Sequence, residues 1–198
     1  MMKKVPGTEL NNRMHAFRDK MLAVDPNWRL AVIFSKINQY YLTGTMQEGM
    51  LLVPRDEPAQ YFVRRSFHRA VDESLFPVIQ PMESYRDAAQ LYGSFPAEVY
   101  LETEFVPLAM LQRIQKYFPF QTVKSVEPII NTIRAVKSEY ELTLMRESGR
   151  VHQKVLEQKI PEVLREGMNE AELAAELYSI LIQEGHQGIS RFSMFDTE

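Results

Sequence analysis

Four histidines, scattered carboxylates and no cysteine are what these 198 residues offer for chemistry. Thiolate catalysis, disulfides and cysteine-ligated zinc are excluded within them. His186, Asp196 and Glu198 stand near one another in sequence and could be imagined as ligands of a divalent cation. The simpler reading, a loop histidine followed by polar terminal residues, is preferred. His152 recurs on an apolar helical stripe and reads as a partly buried packing histidine with one hydrogen bond, rather than a ligand. His68 lies beside Arg64, Arg65 and Arg69. That group reads as a solvated basic patch, with an anion contact as the sharper alternative. His15 falls on an N-terminal helix and receives no role. There is no Gly-x-Ser-x-Gly elbow. Gly185-His186-Gln187-Gly188 lacks the lysine and the preceding strand of a phosphate loop. No catalytic or metal-ligating set is therefore expected, and a stand-alone enzyme is not supported.

Composition narrows the partners. A net charge of −3 argues against nucleic acid or an anionic membrane surface, both of which need a basic face. No apolar run approaches the roughly 18 residues of a membrane span. Lys3 and Lys4 have no apolar stretch behind them, so the N-terminus is not read as a signal peptide. The lack of cysteine fits a reducing compartment, and a cytoplasmic location is expected.

The elements that must position any site alternate between helix and strand. Thr8 can cap a helix to about Val24, with Leu10, Met14, Phe17, Met21 and Leu22 on one face, and Asp25-Pro26-Asn27 breaks it. Trp28–Phe34 is an apolar run suited to a strand covered on both faces. Asn38–Gly44 reads as a short helix closed by glycine. Gly49–Pro54 and Ala59–Arg64 read as two strands of a hairpin. Helices near Ser66–Ser74, Tyr85–Tyr92 and Val106–Tyr117 interleave with strands Pro77–Gln80, Ala97–Leu101 and Phe120–Val123. This spacing predicts an α/β class with a mixed sheet and flanking helices over residues 1–130.

Residues 131–198 read differently. Glu127–Ser138 is a connector with a helical turn at Pro128. Ser138 stands three before Glu141 and Asn169 three before Glu172, both capping-box spacings. Leu142, Met145, Gly149, His152, Val155 and Leu156 form one stripe, and Leu173, Leu177, Ile180 and Leu181 a second. Ser148 and Gly149 are small enough to admit a neighbouring element, Pro161 should kink or restart its helix, and Gly185 ends the second one. With little sequence left to cover those stripes, the segment is expected to be the incomplete start of a larger domain. Its helices are expected to pack on each other or on a second copy.

These residues also carry a resemblance. Arg134-Ala135-Val136-Lys137-Ser138 with Glu141-Leu142, then Glu166-Gly167-Met168-Asn169-Glu170 and Glu184-Gly185, resembles the opening of the pita-bread catalytic domain of the creatinase, prolidase and aminopeptidase P hydrolases. Tyr40-Tyr41-Leu42-Thr43-Gly44 followed by Gly49-Met50-Leu51-Leu52-Val53 resembles a turn of that family's N-terminal domain. The resemblance implies a parent enzyme with two divalent metal ions (Mn, Co or Zn), whose ligands fall beyond this sequence. It also implies a homodimer, a short peptide substrate cleaved before proline, and an N-terminal domain beside the substrate entrance. The entrance candidates are Tyr41, Thr45, Met46, Gln47 and Glu48; an ordinary surface turn is the other reading. Creatinase-like members place an arginine where Gln47 or Glu48 falls, which weakens a creatine-like substrate. A neutral or acidic loop better suits a peptide's cationic amino end. Two other readings stand beside the peptidase: a non-peptide hydrolase or lyase on the same scaffold, and a non-catalytic interaction module.

Overall fold

The computed structural model describes residues 4–93 and 95–186. It forms two compact units, one ending at Val136 and the other beginning at Lys137.

The first unit is built on one sheet. Its elements are α1 (Gly7–Val24), β1 (Leu30–Ile33), α2 (Lys36–Thr43), β2 (Gly49–Pro54), β3 (Gln60–Val63) and α3 (Phe67–Glu73). They continue with β4 (Ile79–Pro81), α4 (Tyr85–Tyr92), β5 (Glu98–Leu101), α5 (Leu108–Gln115), β6 (Thr122–Ser125) and α6 (Glu127–Ala135). Strand order is β4-β3-β2-β1-β5-β6. The β1–β2 and β2–β3 pairs are antiparallel, whereas β1–β5, β3–β4 and β5–β6 are parallel. The sheet is mixed because a tight turn joins β2 to β3, while the parallel pairs need helical crossovers.

Alternation along β1 divides the core. Ala31 and Ile33 face a cluster with Phe17, Met21, Leu42 and Ile130, supplied by α1, α2 and α6. Leu30 and Val32 face the other side, with Ala88 of α4 and Ile114 of α5. All four β1 residues are buried, as a central strand between two helical layers requires. Phe17 and Met21 are wholly buried, each worth about 1.5–3 kcal/mol of transfer free energy. Leu22 lies off that face and is 41 % exposed.

Local rules account for most boundaries. The first helix begins at Gly7 without a side-chain cap, so Thr8 lies inside it. Pro6 takes the cap position, where its fixed φ suits the turn into a helix. Gly44 closes α2 at φ +76°, a backbone state that costs glycine little.

The second unit contains α7 (Glu139–Lys154), a π-helical turn (Val155–Lys159), α8 (Ile160–Val163) and α9 (Glu170–Gln183). Ser138 and Glu141 close a capping box with hydrogen bonds of 3.2 and 3.0 Å, and Asn169 and Glu172 close another at 3.0 and 3.2 Å. Before Pro161 the Ile160 N–H reaches back five residues to the Val155 carbonyl, widening the helix. The proline ring would clash with a carbonyl four residues back, and a π turn relieves such crowding. The helix then restarts. Val155 is buried, α9 packs on the π turn, and Lys154 meets Glu184 at 2.6 Å. His152 departs from expectation: it is exposed, with Nδ1 2.8 Å from the Ser148 carbonyl one turn back. The predicted stripe is largely uncovered: Val155 is buried, while Met145, Gly149 and Leu156 face outward.

Candidate functional site

The segment Thr45–Glu48 links α2 to β2, and both ends are fixed by buried polar groups. Gln39, wholly buried in α2, donates from Nε2 to the Ile33 carbonyl at 3.1 Å and the Gly49 carbonyl at 2.7 Å. Its Oε1 lies 3.1 Å from the Tyr61 hydroxyl. One amide thus ties the end of β1, the start of β2 and the middle of β3. Thr43 Oγ1 lies 2.7 Å from the Gln39 carbonyl and 3.1 Å from the Thr45 carbonyl, and Ser74 Oγ donates to the Thr43 carbonyl. Gly49 has its own constraint: a Cβ there would fall 2.3 Å from the Phe62 carbonyl oxygen.

Between those ends the loop is gathered by Glu73, the last residue of α3. Thr45 Oγ1 donates to Glu73 Oε1 at 2.5 Å and Gln47 Nε2 donates to the same oxygen at 2.7 Å. Arg69 Nε reaches Oε2 at 3.1 Å. The Glu73 side chain is only 10 % exposed. Burial alone would raise its carboxyl pKa, but the bonds from Thr45, Gln47 and Arg69 outweigh burial and hold it below the ordinary carboxylate value. The Tyr61 hydroxyl lies 2.5 Å from the Gln47 carbonyl. Burial, and secondarily Glu73, push the Tyr61 phenol well up, so it stays a neutral donor.

The candidates therefore divide. Tyr41 faces inward, with the Arg13 guanidinium 4.5 Å from its ring centre and Arg13 Nη1 donating to its carbonyl at 3.0 Å. Thr45 is fully buried. Met46, Gln47 and Glu48 are half-buried and form the outward part of the loop. The loop carries no arginine of its own, yet two reach it from the end of β3. Arg64 and Arg65 approach the Glu48 carboxylate at 3.4 and 3.5 Å, and the Arg64 N–H donates to the Glu48 carbonyl at 2.7 Å. Glu73 and Tyr61 went unrecognised in the sequence. Their contacts span many residues, and neither sits in a motif.

A second buried carboxylate holds the neighbouring strand ends. Glu102, after β5, accepts from the Phe34 N–H at 2.5 Å, the Ser35 N–H at 2.7 Å and Asn38 Nδ2 at 2.6 Å. Asn38 Oδ1 in turn accepts from Arg134 Nη1 at 2.9 Å. Arg134, the first residue of the connector motif, thus has a packing role within the first unit.

Among the described residues, no group of three or more His, Cys, Asp or Glu could hold a metal ion. Asp196 and Glu198 lie outside the described residues. His186 packs edge-on against Tyr178, with ring centres 6.3 Å apart. No described helix is long and apolar enough to cross a membrane.

Comparison with known proteins agrees with this architecture. The chain is 25 % identical over 166 residues to the Xaa-Pro dipeptidase of Pyrococcus horikoshii, covering 82 % of this chain and 46 % of that protein. It thus spans about half the length of the curated relative it matches. The crystal structure of the prolidase from Pyrococcus horikoshii superposes with a TM-score of 0.76 at 19 % identity, over 89 % of this chain and 50 % of that one. The creatinase/prolidase N-terminal domain of an X-Pro dipeptidase from Streptococcus pyogenes gives 0.51 at 16 % identity, over 61 % of this chain and 98 % of that one. At these identities the two structures speak for the fold. Residues 13–136 match the family model described as the creatinase/prolidase N-terminal domain, the stretch that carries the sheet, the Glu73-gathered loop and Arg134. The chain belongs to the creatinase/prolidase N-terminal domain family.

Proposed function

We propose that this chain acts as the N-terminal portion of a metal-dependent Xaa-Pro peptidase and shapes the substrate entrance with the loop Thr45–Glu48. The observation that carries the reading is the family match over residues 13–136, joined to a likeness to an Xaa-Pro dipeptidase over 82 % of the chain. Peptide bonds before proline resist ordinary peptidases, because the tertiary amide has no N–H and restricts the residue before it. A rigid entrance that sorts short peptides suits that problem, and a loop fixed by Glu73, Gln39 and Tyr61 is rigid without metal. Met46 offers an adaptable apolar contact and Glu48 an acceptor for a cationic amino end. In this reading two divalent cations are bound by residues other than those described, and the working enzyme is a cytoplasmic homodimer.

The test measures metal content and Xaa-Pro dipeptide hydrolysis, with added Mn²⁺ or Co²⁺. It compares this chain alone with the longest polypeptide its gene encodes. Metal binding and cleavage by the longer form alone support the reading. Metal binding without Xaa-Pro cleavage moves a non-peptide substrate ahead. Two bound metals and hydrolysis by these 198 residues alone would overturn it.

A further inference from the structure

A cleft of about 300 Å³ opens where β3 and β4 end beside the last turn of α5, and nothing above uses it. Three cations line it, Arg64, Arg113 and Lys116, against the single carboxylate of Glu83. Tyr85, Tyr117 and Ser84 add hydroxyls to the walls. Arg86 brings a fourth cation to the rim, its guanidinium 5.8 Å from the Tyr117 ring centre. In a chain of net charge −3 this is a local reversal of sign.

The cations are also under-compensated. Among the described residues neither Arg113 nor Lys116 forms an ion pair, and Arg64 has only the 3.4 Å approach of Glu48. Asp87 of α4 is committed elsewhere: its Oδ2 accepts from the Glu83 and Ser84 N–H groups at 2.8 and 2.9 Å. Those two N–H groups belong to the cap and the residue before it, so the Asp87 carboxylate is spent on the entry into α4 rather than on the cleft's cations. Converging like charges in a concave wall repel unless an anion lies between them, and guanidinium forks match the geometry of oxyanions. Tyr85 holds the wall in place through an edge-on contact with Phe34, ring centres 6.2 Å apart.

We propose that this cleft binds a small molecule bearing a dianionic oxyanion group, a phosphate monoester or a dicarboxylate. Arg64 is shared between the cleft and Glu48, so occupancy draws its guanidinium away from the candidate entrance loop.

The test is an NMR titration of the whole chain with inorganic phosphate and, separately, succinate, at constant ionic strength. Saturable shifts of the Arg64 and Arg113 Nε–Hε signals and of the Ser84, Tyr85 and Glu48 amides are expected. The double variant R113Q/K116Q should weaken binding about tenfold or more, as loss of two charged hydrogen-bond donors implies. Both residues are exposed, so unshifted amides elsewhere will certify the fold. Arg55→Gln, whose guanidinium pairs with Asp56 outside the cleft, should leave binding unchanged. Tighter binding of phosphate assigns the monoester source, and tighter binding of succinate the dicarboxylate. Shifts with both anions that grow linearly without saturating, or that survive R113Q/K116Q, overturn the proposal.

Discussion

Gln47 and Glu73, far apart in the chain, are joined by a 2.7 Å hydrogen bond on an oxygen that also takes the Thr45 hydroxyl at 2.5 Å. The bond makes the shape of an outward loop depend on the last residue of α3. A carboxylate suits the position because it accepts at both oxygens, and here Thr45, Gln47 and Arg69 occupy them.

Glu73→Gln removes the charge and places an N–H₂ group among three donors. The expected loss is about 1.5–3 kcal/mol of local stability, the range for hydrogen bonds to charged groups. Amide exchange at Gln47 and Glu48 reads it, because loops open locally long before the domain unfolds. The pH dependence has a definite sign. Glu73 is held below its ordinary value of 4.5, so the unfolded loop binds the proton more tightly. Protection from this carboxylate should be full above that value and fall as pH drops through the lowered one. In Glu73→Gln this dependence should vanish. An unchanged acid profile in the variant would remove Glu73 from its proposed role.

Much of the scaffold was legible in the residues. The paired runs Gly49–Pro54 and Ala59–Arg64 marked the β2–β3 hairpin, Gly44 marked the end of α2, and the Ser138/Glu141 and Asn169/Glu172 spacings marked two helix starts. Each is a local rule, satisfied within a few residues. The sheet order was not legible, because β1 lies between β2 and β5 only through long crossovers. The same holds for Glu73 and Tyr61, whose contacts on the loop form only once α3 and β3 have packed. His152 was misplaced because it lies in α7, which buries none of its residues, and a periodic pattern shows which residues share a face but not whether anything covers it.

Glu102 tests a different balance. It is completely buried, and burial raises its carboxyl pKa despite the hydrogen bonds from Ser35, Asn38 and Phe34 that favour the charge; Glu127 adds to the rise. A carboxyl raised in the folded state gains stability as pH falls through that raised value, opposite in sign to Glu73. Glu102→Gln should nonetheless destabilise the fold by about 1–3 kcal/mol at neutral pH, since an amide cannot accept at both ends and leaves a buried donor unpaired. Urea denaturation checks this. Asn38→Asp should be at least as damaging, because it sets a second carboxylate against Glu102 where an amide now donates at 2.6 Å.

Gly49→Ala should cost about 1–3 kcal/mol or more, the range for overpacking, because the new methyl meets backbone of β3 rather than a movable side chain. The added Cβ would stand 2.3 Å from the Phe62 carbonyl oxygen and 2.9 Å from Tyr61 Cε2. Relief requires β2 to move off β3, which would also disturb the Tyr61 contact to Gln47. Loss of stability together with faster exchange at Gln47 is the expected pair of results. A stable variant with an unchanged loop would show that the strand pair tolerates the shift.

Gly149→Ala separates two explanations of one small residue. The sequence suggests that Gly149 lets another element approach α7, yet a Cβ built there meets nothing within 4 Å. If helix propensity alone operates, alanine should stabilise α7 by about 0.5–1 kcal/mol, since glycine in a helix interior carries the larger entropy cost. Thermal unfolding of this chain reads that gain directly. The same substitution in the longest polypeptide the gene encodes distinguishes the cases. A gain in both forms means the face is free, whereas a gain here and a loss there means a further element packs against Gly149.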